Sequence, residues 1–336
     1  MAKIFDLFGG IGGFSLGAHN LGHDTAAYCD WDKHASAVYR KHFPKVPQFK
    51  DARAIEGGEL PNFDLLCAGF PCQPFSLAGK RKGTNDNRGT LFEDIARIAR
   101  VKRPGHLLLE NVKGLLTAQE GWAFLEVIAT MEELGYDLEW QVLNSENFGV
   151  PQGRERVFIV GHFGGQCECR QKVFPFGGNE KQANCERAQI QTVGREVEVG
   201  SIRRTYYRPM KSGVSPTLTA NMGTGGHNVP IIRPTLTPNR IEKRQNGRRF
   251  KENGESSFTI TTQDQNGVLI DNGKSTEVRK FTPVECERLQ GFPDGWTSVG
   301  NYGGVEKRVA DGPRYKMTGN AVTVNVVQAI MERLTL

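Results

Sequence analysis

Short apolar runs alternate with helical patterns over the first 160 residues, and this alternation constrains the fold more than any other feature. Residues 3–8, 63–68 and 106–109 predict buried strands, and residues 14–21 and 90–102 predict helices between them. Strand and helix repeated in this order are typical of a doubly wound sheet with helices on both faces. We therefore expect an α/β fold built on a mostly parallel sheet. The other predicted elements of this part are strands at 26–29, 138–143 and 156–160 and helices at 36–42 and 122–134.

The pattern changes between about residue 163 and residue 280, where helical periods are few and Gly, Asn and Thr are frequent. The threonine-rich segments 216–219 and 258–261 predict short strands, so we expect a second, smaller, irregular β-rich domain. Helical signals return at residues 282–285, where a threonine cap, a proline and a glutamate three residues after the cap agree. A final helix is expected after Gly319 and Asn320.

Composition excludes several classes of protein. The 336 residues are 38% hydrophobic and 24% charged, as in ordinary globular proteins. No apolar run reaches the roughly 18 residues of a membrane span, and no cleavable signal follows Met1, so we expect a cytoplasmic protein. The seven cysteines include no Cys-x-x-Cys pair, which argues against a disulfide framework.

Positive charge is concentrated in one part of the chain. Residues 163–280 carry 19 Lys and Arg against 11 Asp and Glu, a net charge of +8, whereas the rest of the chain has a net charge of −2. Such asymmetry indicates a polyanionic partner, although a solvated basic surface would give the same count.

A glycine cluster follows the first strand, in the segment 6–14. Glycines in a strand-to-helix turn allow a ligand to approach the backbone and the helix N-terminal amides. Ser15 stands where the dinucleotide fingerprint has its third glycine, which argues against a nicotinamide cofactor. Asp30 ends the second strand and could accept hydrogen bonds from ribose hydroxyls, with Trp31 against an adenine face; a surface Asp-Trp pair is the alternative.

Cys72 follows the third buried strand and lies in a Pro-Cys-Gln-Pro segment. A rigidly held, partly exposed thiol is suited to be a nucleophile, whereas Cys67 on the strand is expected to be buried. The basic, glycine-containing segment 76–89 is expected to be a lid. Cys167, Cys169, Cys185 and His162 match no common zinc spacing, and we expect no metal.

Two further strand ends carry charged groups. An enclosed carboxylate at Glu110 could donate a proton to a bound ring, although a helix-capping role is the alternative. Arg154 and Arg156 are expected on one face of a strand, where guanidinium groups suit phosphate or carbonyl oxygens.

With these motifs in this order, the sequence resembles the cytosine carbon-5 DNA methyltransferase family of bacterial and phage type. The resemblance rests on six motifs, at residues 6–17, 69–76, 110–112, 152–156, 287–293 and 319–322. It implies a Rossmann-like catalytic domain at 1–162 and 305–336 and a target-recognition domain at 163–304. It also implies S-adenosylmethionine as methyl donor and a cytosine flipped out of double-stranded DNA. The protein would be a monomer, part of a restriction-modification system with a cognate endonuclease or an orphan or phage methylase.

The resemblance also implies site residues. The catalytic residues would be Cys72, Glu110, Arg154 and Arg156, with Cys72 adding to carbon 6, Glu110 at ring nitrogen 3, Arg156 at the carbonyl, and Arg154 on phosphate or in a structural role. The cofactor-binding residues would be Phe8, Gly10, Ile11, Gly12, Gly13, Phe14, Asp30, Trp31, Asp51, Ala52, Pro71, Leu91, Asn320 and Ala321. The DNA-contacting residues would be Gln73, Ser76, Lys80, Arg81, Lys82, Asn111, Thr217, Thr219, Arg248 and Arg249.

Three alternatives remain open from sequence. A relative in the same family methylates transfer RNA, but the long basic segment favours duplex DNA. A DNA-binding protein without activity on the same fold is disfavoured by the presence of Cys72, Glu110 and Arg156 together. A nicotinamide dehydrogenase is disfavoured by Ser15.

Overall fold

The structure is a computed structural model, which describes residues 1–70, 91–164, 172–176, 231–236, 250–252, 254–261, 266–271, 276–334 and 336. Its central sheet has seven strands in the order β3-β2-β1-β4-β5-β7-β6. The strands are β1 Lys3–Leu7, β2 Asp24–Cys29, β3 Gln48–Phe49, β4 Leu65–Gly69, β5 His106–Val112, β6 Tyr136–Asn144 and β7 Glu155–Phe163. β1 to β5 are parallel, whereas β7 runs antiparallel between β5 and β6. The expected doubly wound, mostly parallel sheet is confirmed.

Helices cover both faces of this sheet. They are α1 Gly13–Asn20, α2 Lys33–His42, α3 Leu91–Lys102, α4 Trp122–Glu133, α5 Pro283–Leu289, α6 Asp311–Asn320 and α7 Val324–Met331. Successive strand residues alternate between two cores. Phe5 and Leu7 pack with α3 and α4, whereas Ile4 packs with α1 and α7. None of the helices in the described ranges is long and apolar enough to cross a bilayer.

The first and last of these helices approach each other closely because two glycines lie between them. A Cβ added to Gly13 would lie 2.6 Å from Val322, and one added to Gly17 would lie 2.7 Å from Val327. Both distances are shorter than real carbon contacts, so any side chain there would push the helices apart. Helix packing therefore requires a glycine at position 13, a reason that is separate from the cofactor contact expected from the sequence.

The segment containing Phe292 and Trp296 packs against the N-terminal part of the chain. Phe292 and Trp296 belong to the same core as Ile11, and the Trp296 Nε1 donates a 2.9 Å hydrogen bond to the Ile11 carbonyl. The Trp296 ring also stacks on His42 with ring centroids 3.5 Å apart. Its aromatic rings thus complete a core that α1 and α2 leave open, and the domain boundary at 304/305 stays a prediction.

The helical signals at 282–285 are confirmed, because Thr282 and Glu285 form a reciprocal capping box at the start of α5. The predicted cap of the last helix is wrong. Asn320 ends α6, and α7 begins after Thr323, because the sequence Ala-Val-Thr between them is extended.

The smaller β-rich region is described only in parts. β8 Ile231–Leu236, β9 Asn266–Asp271 and β10 Thr276–Lys280 form an antiparallel sheet, and β11 Val299–Tyr302 pairs with β12 Val305–Arg308. The strand predicted at 258–261 is wrong, because that segment bonds to the loop before β7 instead of joining a sheet. The strand predicted at 216–219 lies outside the described residues.

Candidate active site

The candidate site lies along one edge of the central sheet. β1, β2, β4 and β5 all end at this edge, where an open α/β sheet binds its ligands. β7 begins there because it is antiparallel to β5. The residues that follow β1 and β2, Gly69 at the end of β4, Glu110 near the end of β5 and Arg156 near the start of β7 therefore lie along one edge of the sheet.

The turn after β1 is shaped by left-handed backbone. Phe8, Gly10 and Gly12 have φ angles of 58°, 56° and 87°. Glycine adopts such angles without strain, whereas Phe8 adopts them at some cost in backbone energy. A Cβ added to Gly10 would meet no heavy atom within 4 Å, so the space above this residue is open. Among the described residues, none blocks the approach of a ligand to the backbone at Gly10.

A buried carboxylate lies beneath this turn. Asp6 is 0% exposed, and its Oδ2 accepts a 2.6 Å hydrogen bond from the Ser15 hydroxyl and a 3.1 Å hydrogen bond from the Ser15 N–H. The Ser15 hydroxyl also contacts the Tyr39 hydroxyl at 2.8 Å. Burial raises the pKa of Asp6 to about 7, because no cation among the described residues compensates its charge. Ser15, which breaks the dinucleotide fingerprint, is thus the residue that anchors the turn to β1.

Asp30 connects the end of β2 to the same turn. Its Oδ2 accepts the Gly10 N–H at 2.8 Å, and its Oδ1 accepts the Asp32 N–H at 2.8 Å. Burial raises the pKa of Asp30 as well. Each carboxylate oxygen can accept a second hydrogen bond, so Asp30 keeps acceptor capacity for ligand hydroxyls. Trp31 beside it is 88% exposed, and its indole is available to a flat ligand.

The other expected cofactor residues lie around this turn with different exposures. Asp51 follows β3 and accepts hydrogen bonds from the Arg53 side chain at 2.9 and 2.7 Å, which lowers the pKa of Asp51. Leu91 begins α3 and is half-buried, whereas Asn320 at the end of α6 is exposed. The side chains of Ile11, Phe14, Ala52 and Ala321 are buried, so they can line a ligand only through their backbone or from below.

Glu110 and Arg156 form the second part of the site. Glu110 pairs with Phe158 in the β5–β7 ladder, so Arg156 is its diagonal neighbour on the same face. The Arg156 Nε lies 3.1 Å from the Glu110 Oε1, and the two side chains are 16% and 12% exposed. The Glu110 Oε2 lies beside Gly69, the last residue of β4. The pair therefore lies next to the strand end from which the chain continues to Cys72.

Arg154 is buried, and its guanidinium contacts protein carbonyls. Its side chain donates to the carbonyls of Ile260 at 3.1 Å, Gly319 at 3.3 Å and Ala321 at 2.8 Å, and the residue is 3% exposed. Burial, followed by the charge of Arg156, lowers the pKa of Arg154 to about 9. The structure supports the structural alternative for this arginine, because protein carbonyls occupy its donors.

Asn111 is buried on the opposite side of β5 from Glu110. This residue is 1% exposed, and its Oδ1 accepts the Val112 N–H at 2.8 Å. Successive strand residues alternate sides, so Asn111 faces away from Glu110, and its contact with DNA stays a prediction.

Several expected site residues lie outside the described residues. They are Pro71, Cys72, Gln73, Ser76, Lys80, Arg81, Lys82, Thr217, Thr219, Arg248 and Arg249. Cys67 is described, and it is fully buried on β4, which raises the pKa of its thiol. The described residues include no group of three His, Cys, Asp or Glu side chains that could hold a metal ion.

Sequence reasoning missed residues that build the site from behind. Asp6 was part of the first motif but was given no role, and Trp296 was not singled out. Buried Glu287 and Arg314 form an ion pair of 3.0 Å, which joins α5 to α6 below Asn320. The sequence signal for this ion pair was one acidic residue on α5 and one basic residue on α6, each among buried neighbours.

Comparison with known proteins identifies the chain. A family model described as C-5 cytosine-specific DNA methylase matches residues 2–335. The type II methyltransferase M.SsoII of Shigella sonnei is 35% identical, with 99% of this chain and 79% of that protein covered. The type II methyltransferase M.Bsp6I of Bacillus sp. (strain RFL6) is 32% identical, with 99% and 98% covered. The orphan methyltransferase M.SPRI of Bacillus phage SPR is 30% identical, with 99% and 97% covered.

Solved structures show the same fold. The Dnmt2 methyltransferase of S. pombe superposes with a TM-score of 0.60 at 20% identity, covering 98% of this chain and 97% of that one. A putative DNA modification methyltransferase encoded within an E. coli prophage superposes with a TM-score of 0.56 at 18% identity, covering 99% and 98%. From the match over residues 2–335 and from these relatives, the chain belongs to the C-5 cytosine-specific DNA methylase family.

Proposed function

We propose that this DNA cytosine-5 methyltransferase binds S-adenosylmethionine at the β1–β2 end of its sheet edge and a flipped-out cytosine beside Glu110 and Arg156. The observation that carries the proposal is the Glu110–Arg156 pair, 3.1 Å apart, beside the strand end that leads to Cys72. The match to the family over residues 2–335 supports it. The target is DNA, in agreement with the +8 net charge of residues 163–280.

The residues around the β1 turn fit this cofactor. The space above Gly10 is open, the Asp30 carboxylate retains acceptor capacity, and the Trp31 indole is exposed. These groups suit a backbone-bound ligand, ribose hydroxyls and an adenine face respectively. Asp51 would accept a hydrogen bond from the adenine amino group while its carboxylate also accepts hydrogen bonds from Arg53. When bound, S-adenosylmethionine supplies the methyl group that carbon 5 of the activated ring accepts.

The chain's own residues activate the ring. Carbon 5 of cytosine is a poor nucleophile because the ring is aromatic and electron-poor. Addition of the Cys72 thiolate to carbon 6 forms a sulfur–carbon bond and moves an electron pair towards carbon 5. Glu110 donates a proton or hydrogen bond to ring nitrogen 3, and Arg156 holds the ring carbonyl, so both stabilise the charge that develops. Transfer of the carbon 5 proton to water then re-forms the double bond between carbon 5 and carbon 6, and the sulfur leaves carbon 6 with its bonding electron pair as the Cys72 thiolate.

The Glu110–Arg156 pair also explains how the site is ordered before the base arrives. Each partner is mostly buried, so an unpaired charge at either position would be unfavourable. The pair orients both groups on one face of the β5–β7 ladder, and a base with a carbonyl and a ring nitrogen on adjacent atoms presents one acceptor to each of them. The cytosine must leave its helix to reach them, which requires a few kcal/mol of unstacking.

Trapping the thiol adduct tests the proposal. A duplex that contains 5-fluorocytosine should become covalently attached to the wild-type protein in the presence of S-adenosylmethionine, because the fluorine cannot leave as a proton does. Bisulfite sequencing of plasmid from expressing cells identifies the cytosine to place in this duplex. Mass spectrometry should locate the adduct on Cys72.

Cys72→Ser should form no adduct and should transfer no methyl group. Cys67→Ala is the matched control, because it removes a neighbouring cysteine that is buried and unreactive, and it should keep both activities. An adduct on another residue, or full methylation by Cys72→Ser, would overturn the proposed mechanism.

A further inference from the structure

Arg154 is a buried cation that no carboxylate among the described residues pairs with. It is 3% exposed, and its Nε has no hydrogen-bond partner among the described atoms. Its other donors go to three carbonyl groups. Burying a guanidinium against carbonyl dipoles alone is unfavourable compared with an apolar side chain of the same size. Stability alone therefore does not account for an arginine at this position.

The three carbonyls belong to two different parts of the molecule. Ile260 lies 106 residues after Arg154, in the region that we expect to contact DNA, whereas Gly319 and Ala321 flank Asn320, an expected cofactor residue. A side chain of fixed, planar geometry thus joins the target side to the cofactor side of the site.

The segment around Ile260 is attached to the loop before β7 at several further points. The Ile260 N–H donates to the Gln152 Oε1 at 2.8 Å, and the Thr259 hydroxyl donates to the Gly153 carbonyl at 2.6 Å. The Gln152 Nε2 donates to the Leu289 carbonyl at 2.8 Å, which extends the contact to α5. Displacement of this segment would therefore displace the backbone on which Arg154 and Arg156 are mounted.

The cofactor side is attached in a similar way. The Gln290 side chain donates to the Thr318 carbonyl at 2.8 Å and accepts from the Thr323 hydroxyl at 2.8 Å, on either side of the 319–321 loop. Gln290 thus fixes Thr318 and Thr323, and Arg154 bonds the carbonyls of Gly319 and Ala321 between them. Arg154 is the direct link from Ile260 to these residues, beside a longer route through Gln152, Leu289 and Gln290.

We propose that Arg154 is a positioning residue that couples DNA binding to cofactor binding, by holding residues 257–260 and residues 319–321 in one arrangement. This inference rests on the proposed function. It assigns the cooperativity between DNA binding and cofactor binding to the Arg154 side chain. By linkage, the cofactor product should tighten DNA binding by the same factor by which DNA tightens binding of that product.

The test measures this factor directly. The dissociation constant of the duplex identified by bisulfite sequencing is measured with and without S-adenosylhomocysteine. We expect a tightening of at least about fivefold in the wild type, the lower end of typical coupling. In Arg154→Met the tightening should fall below about twofold, and in Arg154→Lys, which keeps the charge but loses the planar fork, it should be intermediate. Thermal unfolding identifies which variants are folded. If Arg154→Met does not fold, the coupling factor measured for Arg154→Lys decides the test.

The matched control is Arg314→Met. This variant removes a different buried arginine, which lies on α6 and bonds to Glu287 instead of Ile260. It should lower stability and keep the coupling factor. A wild type that methylates DNA but binds the two ligands independently would overturn the inference and leave the proposed function intact. A folded Arg154 variant with wild-type coupling would also overturn it. A wild type that forms no adduct and transfers no methyl group would instead defeat the proposed function.

Discussion

The two ends of the sheet edge hold their carboxylates in different ways. At the β1–β2 end, Asp6 and Asp30 are held by N–H and hydroxyl groups, and burial raises the pKa of both. At the β5–β7 end, Glu110 is held by the guanidinium of Arg156. At the β1–β2 end the acids have, among the described residues, only hydrogen-bond donors beside them, whereas at the β5–β7 end a carboxylate is paired with a guanidinium, and each member of that pair can turn to one edge of a neutral ring. The difference indicates that each end of the edge already holds the polar groups that its expected ligand would contact.

The largest effect should come from Glu110→Gln. The amide keeps an oxygen for Arg156 but cannot protonate a ring nitrogen, so kcat should fall by about 10²- to 10⁴-fold. The dissociation constant for S-adenosylhomocysteine should change by less than about twofold, because the cofactor end is untouched. Single-turnover methylation and calorimetry measure the two quantities.

Glu155→Gln is the control, because Glu155 lies next to Arg156 but is exposed and pairs with Lys113. It should leave kcat within about twofold of the wild type, as expected for surface ion pairs. Equal losses in the two variants would remove the distinction between the two ends of the edge.

Asp6→Asn should change how stability depends on pH. The pKa of Asp6 is raised from 3.8 to about 7, so the folded state binds this proton more tightly than the unfolded chain. The resulting stabilisation is complete below the unfolded pKa and is lost as the pH rises through the folded pKa. Between pH 5 and pH 8 the wild type should lose about 2–3 kcal/mol more than Asp6→Asn in its free energy of unfolding. Urea titrations at a series of pH values measure this difference.

The control for this experiment is Asp64→Asn, at an exposed position before β4. Its pH profile should follow that of the wild type. A parallel profile for Asp6→Asn would show that burial does not raise the pKa of Asp6, and the comparison between the two ends would then lose one of its two acids with a raised pKa.

The smallest of these effects should come from Asp30→Asn. The amide keeps one oxygen for Gly10 or Asp32 but brings an N–H against the other donor, so KM for S-adenosylmethionine should rise by about tenfold. We expect kcat at saturating cofactor to stay within about twofold. Asp24→Asn, at the far end of β2, is the control. A kcat that falls as much as KM rises would show that the cofactor end also takes part in the chemistry.

Much of the central sheet could be predicted from the sequence, because its buried strands and amphipathic helices follow simple periodicities. The helix at residues 90–102 was predicted within one residue of α3 at each end, and the Thr282 cap was identified by its own chemistry. The strand predicted at 258–261 failed because the Thr259 hydroxyl and the Ile260 N–H bond to the loop at 152–153, a contact more than 100 residues away that no local pattern encodes.

The site was predicted in part for the same reason. Glu110 follows the strand predicted at 106–109, Arg156 begins the strand predicted at 156–160, and the ladder between β5 and β7 brings them together. Arg154 has the same local pattern as Arg156, yet its burial depends on the carbonyls of residues 260, 319 and 321. Asn111 is next to Glu110 in the chain but faces the opposite side of the strand. Which of two similar neighbours reaches a site depends on tertiary contacts.

The close contact of α1 with α7 has a consequence for biosynthesis. Gly13 and Gly17 leave room for Val322 and Val327, and Trp296 bonds to the Ile11 carbonyl, so the turn above Asp6 is supported by segments translated about 280 or more residues later. A ribosome-bound nascent chain cannot complete this support until α7 has left the exit tunnel. The turn above Asp6 therefore acquires its full support late in synthesis, after every residue between Gly17 and Val327 has been translated.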